Sequence, residues 1–160
     1  MAEYFQLLRR DLTTALPAPQ WPAGTQLDHY RADLAPAIHA VLRLTQDKGG
    51  GRVPNLETWQ HQFTTDAEFD PTLCLVASND EGILAVAQCW TSAFIKNLSV
   101  HQCAQGQGLG RALLLHSFQT FKQRGEPYVD LKVRESNLRA RQLYESAGMI
   151  FVLRDAVPED

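Results

Sequence analysis

Three of the ten glycines in this 160-residue chain fall within one heptapeptide, Gln105-Gly106-Gln107-Gly108-Leu109-Gly110-Arg111. Glycine lets the backbone come close to a ligand and reach positive φ. A helix that starts here offers unpaired N–H groups and the positive end of its dipole. Together these make a seat for a phosphate or pyrophosphate. The spacing is G-x-G-x-G, so neither the dinucleotide fingerprint G-x-G-x-x-G nor a P-loop with its Lys-Ser/Thr pair is present. A tight turn would use the same glycines, but a glycine in a helix costs about 1 kcal/mol relative to alanine. A bound anion would offset that.

The flanking pattern places the loop. Residues 94–100 form an apolar-rich run before it and read as a strand. After it, Leu114, Phe118 and Phe121 recur at helical spacing up to about Gln123, and Arg124-Gly125 is a helix stop. Residues 128–133 read as a strand with Val129, Leu131 and Val133 on one face. Asn137 is an N-cap for a helix carrying Ala140, Leu143, Tyr144 and Ala147 on one stripe, ended by Gly148. Residues 149–153 form a last apolar strand, suited to a core or to an interface. Lys132, Arg134, Arg139 and Arg141 make a local excess of positive charge, either a solvated face or a contact for a phosphate.

Upstream, residues 73–77 and 83–90 flank Ser78-Asn79-Asp80-Glu81-Gly82 and read as a β-hairpin. Asp33 is an expected N-cap, Pro36 fits the first turn of a helix through Leu44, and the glycines at 49–51 end it. Pro54-Asn55 opens a second helix with Leu56, Trp59 and Phe63 on one side, stopped by Asp70-Pro71. A short strand is expected at 26–30. Residues 1–22 read as an irregular lead-in in which residues 4–8 form a short strand or one helical turn, before Pro17, Pro19 and Pro22 interrupt.

Composition narrows the class. Hydrophobic residues make up 44% and charged residues 21%, and the formal net charge is −3. These values suit one globular domain over residues 1–160 and argue against a basic nucleic-acid binder. Three widely spaced cysteines, Cys74, Cys89 and Cys103, give no disulfide framework and point to a reducing compartment. They also lack the spacing for a metal site with His61 and His101, so no metal is expected. The N-terminus has no apolar stretch of a signal peptide and no run is long enough to span a membrane, so a cytoplasmic protein is expected.

Gln105-x-x-Gly108-x-Gly110 after Leu98-Ser99-Val100 resembles the signature of the GCN5-related N-acetyltransferase (GNAT) family. The segment Asn137-x-x-Ala140-x-x-x-Tyr144-x-x-x-Gly148-Met149 after Leu131-x-Val133 resembles a second family motif, which often has Phe where Met149 stands. The resemblance runs over residues 73–153, the expected acetyl-CoA-binding core. It implies an α/β (α+β) fold with a mixed, mostly antiparallel central sheet, two splayed strands and helices on both faces. It further implies acetyl-CoA as co-substrate. The pantetheine arm would lie between the splayed strands against Leu98, Ser99 and Val100, with the Leu98 backbone N–H as oxyanion contact. The pyrophosphate would sit on Gln105, Gly106, Gln107, Gly108, Leu109, Gly110 and Arg111, and Asn137, Arg139 and Ala140 would face the cofactor. Tyr144 stands where the family has its acid; packing of its helix stripe is the other role open to it. The carboxylate that many relatives carry on the strand before the loop is absent from Ile95-Lys96-Asn97-Leu98-Ser99, leaving Ser99, His101 or bound water as relays.

The implied activity is acetyl transfer to a primary amine of a small molecule or peptide by direct attack. The alternative is an acyl-CoA-binding sensing or interaction module of the same fold. A different acyl group or a hydroxyl acceptor is a third option. The acceptor site is expected from the N-terminal helices and the 90–94 crossover, with at most two of Trp59, Phe63, Trp90 and Phe94 lining it. No nucleic-acid or membrane partner is expected, and a homodimer is compatible with the sequence.

Overall fold

The computed structural model describes residues 2–45 and 52–158. Seven strands form one sheet in the order β2-β3-β4-β5-β6-β1-β7. They are β1 (Tyr4–Asp11), β2 (Gln26–His29), β3 (Cys74–Asn79), β4 (Gly82–Trp90), β5 (Phe94–Val100), β6 (Tyr128–Arg134) and β7 (Ile150–Ala156). Every neighbouring pair is antiparallel except β5 and β6. Four helices, α1 (Ala35–Thr45), α2 (Leu56–Thr65), α3 (Leu109–Gln123) and α4 (Leu138–Ser146), complete the fold.

Period-2 alternation at the middle of the sheet sends side chains to two cores. Ala85, Ala87 and Cys89 of β4 join α3, where Leu113, Leu114, Phe118 and Phe121 are buried. Cys74, Val76 and Val86 face the other way, onto Ile38 and Leu42 of α1 and Trp59 and Phe63 of α2. The β3–β4 hairpin forms as its turn chemistry predicts: Asn79 Oδ1 accepts from the Glu81 N–H at 2.8 Å, and Gly82 takes φ +133°. Asn55 caps α2 by accepting from the Thr58 N–H. Burial in these cores raises the Cys74 thiol to about 12 and pushes Cys89 up as well. Cys103 is exposed.

Several expectations are corrected. Of the two readings for residues 4–8, the strand is the one present; it runs on to residue 11 and is part of the central sheet, not of an irregular lead-in. This strand, β1, lies between β6 and β7 and buries Leu8 completely. The partners of β1 are more than 110 residues away, and its Arg9-Arg10-Asp11 end hides the strand period from a local reading. Asp33 does not cap α1; residues 32–34 form a 3-10 turn that runs into the helix, and Asp33 pairs with Arg31. Asp70-Pro71 does not stop α2, which ends at Thr65 with Asp66 as C-cap; Asp70 instead caps a 3-10 turn leading into β3. The last strand starts at Ile150 and is an exposed edge along its whole length. The glycine stop at 49–51 lies outside the described residues. Among the described residues no helix is long and apolar enough to cross a membrane.

Candidate functional site

The parallel contact between β5 and β6 is short. Only Phe94↔Asp130 and Ile95↔Leu131 are in register, and beyond Ile95 the two strands part. On its other side β5 stays paired to β4 as far as Val100. From Lys96 to Val100, therefore, the edge of β5 that faces β6 has no strand partner. A cavity of about 620 Å³ opens along this gap and runs from α1 to the start of α3 and α4.

Leu98-Ser99-Val100 ends β5, and a 3-10 turn at residues 102–104 follows, capped by His101 Nδ1 accepting from the Cys103 N–H. Gly106 and Gly108 both take φ +82°, and a Cβ added to either would meet nothing within 4 Å. A chiral residue would be strained there although there is room for it, so it is the conformation that calls for glycine. Gly110 is the reverse case. A Cβ there would lie 3.3 Å from Val100 Cγ2, so glycine lets α3 close onto β5. Gly108 is the N-cap of α3 and supplies no side-chain cap, which leaves the first-turn N–H groups to a ligand or solvent. Gln105 Nε2 donates to the Val100 carbonyl at 3.2 Å and ties loop to strand.

The second expected segment arrives from the other side. Asn137 Oδ1 accepts from the Ala140 N–H at 3.3 Å and caps α4. Arg10 Nε of β1 donates to the Ala147 carbonyl at 3.2 Å, holding the far end of the same helix. Between them Tyr144 is buried, and desolvation raises its phenol to about 12. It stays protonated throughout the physiological range and can act as a proton donor.

Of the residues expected to hold the co-substrate, all except Gln107 line this one cavity. Lys132, Arg134 and Arg139 of the basic group line it too, whereas Arg141 turns away to the Glu135 carbonyl. Of the four aromatics considered for the acceptor side, Trp59, Phe63, Trp90 and Phe94, none lines the cavity, whereas the first N-terminal helix does so through Leu42 and Thr45. Trp59 and Phe63 are stacked core residues and Trp90 packs beside them, because the α1–α2 layer needs their area to cover β3 and β4. The walls missed by the sequence reading include Phe5 of β1, Leu42 and Thr45 of α1, and Lys96 and Asn97 of β5. No local pattern marks the first three, which reach the site only through sheet order and helix packing. Asn97 and Lys96 interrupt the apolar alternation of β5, which marks them as polar but not as cleft residues.

A glycine-lined helix start, an unpaired strand edge and a buried phenol around one cleft define an acyltransferase architecture. The chain belongs to the acetyltransferase (GNAT) family, whose model matches residues 38–149. It is similar to a mycothiol acetyltransferase of Propionibacterium freudenreichii subsp. shermanii, 30% identical over 92% of this chain and 52% of that protein. A 46% identical stretch covers 35% of this chain and 38% of the [ribosomal protein bS18]-alanine N-acetyltransferase of Escherichia coli. Among solved structures, a GCN5-related N-acetyltransferase from Sphaerobacter thermophilus superposes with a TM-score of 0.83 at 25% identity, over 97% of this chain and 50% of that one. The chain thus spans about half the length, or less, of the curated relatives it matches.

Proposed function

We propose that this domain transfers an acetyl group from acetyl-CoA to a primary amine of a small molecule or peptide by direct attack. The observation that carries the reading is the single cleft in which the unpaired edge of β5, the uncapped glycine start of α3 and the buried Tyr144 converge. In this proposal the backbone from Gln105 to Arg111 takes the pyrophosphate, and Leu98, Ser99 and Val100 run beside the pantetheine arm. Asn137, Arg139 and Ala140 border the arm from α4. The Leu98 N–H faces the developing oxyanion, where a preorganised donor lowers the barrier most. Tyr144 protonates the leaving thiolate, a proton transfer of the kind that contributes typically 10²–10⁴-fold. His101 has no part in this proposal, since it does not line the cleft and its Nδ1 is engaged in the turn.

The reading also includes a cytoplasmic location and a homodimer. The exposed Ile150, Phe151, Val152 and Leu153 make β7 an unprotected edge of the kind that pairs with another chain. Sedimentation of the purified chain gives its mass, and a monomer at micromolar concentration removes the dimer.

The function is tested by incubating the protein with acetyl-CoA and a panel of primary amines and following free thiol. Amine-dependent thiol release is expected. A thermal shift with CoA and no thiol release with any amine would instead identify the non-catalytic module.

A further inference from the structure

At the middle of β5, opposite Gln88 of β4, stands Asn97. Its Nδ2 donates to Gln88 Oε1 at 3.1 Å, while the residue itself lines the cleft. Gln88 is 1% exposed, and its own Nε2 has no hydrogen-bond partner. A buried amide with an unpaired N–H costs roughly 1–3 kcal/mol. A buried glutamine is therefore a poor choice for stability here, and its one hydrogen bond serves to orient Asn97. With Nδ2 turned to Gln88, Asn97 Oδ1 is left as an acceptor. Two residues on, the Ser99 hydroxyl lies 3.0 Å from Thr45 Oγ1 of α1, another neutral pair on the cleft wall.

Among the described residues, the charged side chains that line the cleft are all cations: Lys96 of β5, Lys132 and Arg134 of β6, Arg111 of α3 and Arg139 of α4, of which Arg134 is paired with Glu3. Positive neighbours disfavour an ammonium, and a carboxamide can accept a hydrogen bond from an amine but cannot remove its proton at neutral pH.

We propose that Asn97, oriented by the buried Gln88, seats the acceptor amine through Oδ1, and that this neutral seat selects amines already uncharged near neutral pH, such as α-amino groups, over lysine ε-amines. The inference rests on the acetyltransferase reading above. The amine loses its first proton to bulk water before it binds. Its lone pair then forms the C–N bond at the thioester carbonyl as the C–S bond breaks. The proton left on the new nitrogen passes to water, the thiolate takes the Tyr144 proton, and the phenolate regains one from solvent. An α-amino group has a pKa of about 7.7–8.0 and a lysine side chain about 10.4. At pH 7.4 their neutral fractions therefore differ on the order of a few hundred-fold.

The test compares a short peptide with a free α-amine against an N-blocked peptide with one lysine, using wild type, Asn97→Asp and Gln88→Leu. For the wild type, kcat/KM is expected to favour the α-amine by about 100-fold or more, with an acid limb that moves with the pKa of each acceptor. Asn97→Asp supplies a carboxylate: the acid limb should move to lower pH and the preference should narrow by at least about tenfold. Gln88→Leu should raise KM for the amine while the thermal shift with CoA is kept. An acid limb that ignores the identity of the acceptor, or an Asn97→Asp enzyme with the wild-type profile, overturns the proposal. So does an Asn97→Asp protein that still shows the CoA shift but has lost turnover, because Asn97 would then be a donor. Absence of thiol release from the wild type with either peptide, or with any other amine, defeats the acetyltransferase reading itself and this inference with it.

Discussion

The two halves of the sheet are built differently. In β3 through β5, helices cover both faces: α1 and α2 on one side, α3 on the other. In β3 and β4, Val76, Ala77, Ala85, Val86 and Ala87 are all buried. In β6, β1 and β7, Leu8, Val129, Leu131 and Val133 join the α3–α4 core. On the opposite face cations lie over aromatic rings: Arg9 over Tyr128 at 3.8 Å and Lys132 over Phe5 at 4.9 Å. Long charged side chains cover apolar surface with their stems while keeping their heads wet. Farther out, β7 is exposed throughout, and Arg154 sits over Tyr4. The cleft opens where these halves meet, since β5 belongs to the sandwiched half and β6 to the half covered on one side. The two halves share the α3 core, and the boundary between them is left open as the cleft.

The sharpest measure of this contrast is a matched pair of leucines. Leu75 of β3 is 5% exposed and Leu153 of β7 is 44% exposed. Leu75→Ala should cost about 2–5 kcal/mol in denaturant unfolding, as large-to-small core changes do. Leu153→Ala should stay within about 0.5 kcal/mol. Equal losses would mean that the edge strand is covered in solution and would break the comparison.

Next in size is a change at the boundary. Tyr144→Phe removes the proton donor and keeps the ring in its buried place, so kcat should fall about 100-fold or more while the CoA thermal shift is unchanged. Unaltered turnover would return Tyr144 to a packing role. Because burial raises this phenol to about 12, the wild type should show no loss of activity from Tyr144 ionisation between pH 7 and 10.

A smaller effect is expected at the joint between α4 and β1. Gly148 has φ +94°, and a Cβ there would come within 2.8 Å of Arg10 Nε. Gly148→Ala should cost about 1–3 kcal/mol through backbone strain, and displacement of Arg10 from the Ala147 carbonyl should lower turnover as well.

The smallest effect lies in the sandwiched half. Hydrogen bonds from the Thr72 hydroxyl and amide, with help from Arg124, hold the Asp70 carboxyl below its ordinary value of 3.8. A depressed folded-state value favours the folded protein above the unfolded value, and that contribution disappears as pH falls through the folded value. Asp70→Asn should therefore lower the melting temperature modestly at neutral pH and leave it nearly unchanged well below about pH 4, so that the acid side of the stability profile flattens.

Much of the sandwiched half and the glycine-loop side of the cleft was legible, because their signals are local. The Asn79–Gly82 turn, the Asn55 and Asn137 caps, the glycine loop and the Leu114–Phe118–Phe121 stripe each need only a few neighbouring residues to be read. The four large aromatics were ambiguous for a physical reason. Large aromatics such as Trp59 and Phe63 suit either a pocket wall or a core, and only the position of α1–α2 over β3 and β4 assigns them to the core.

Chain order alone determined the glycine seat, the strand before it and the helix that carries Tyr144, since backbone conformation and side-chain period are written in adjacent residues. Sheet order decided the rest. It put β1 between β6 and β7 and brought Phe5 to the cleft, set Asn97 against Gln88, and left β7 bare. Each of these depends on contacts between residues far apart in the chain, and packing the whole sheet is what fixes such contacts.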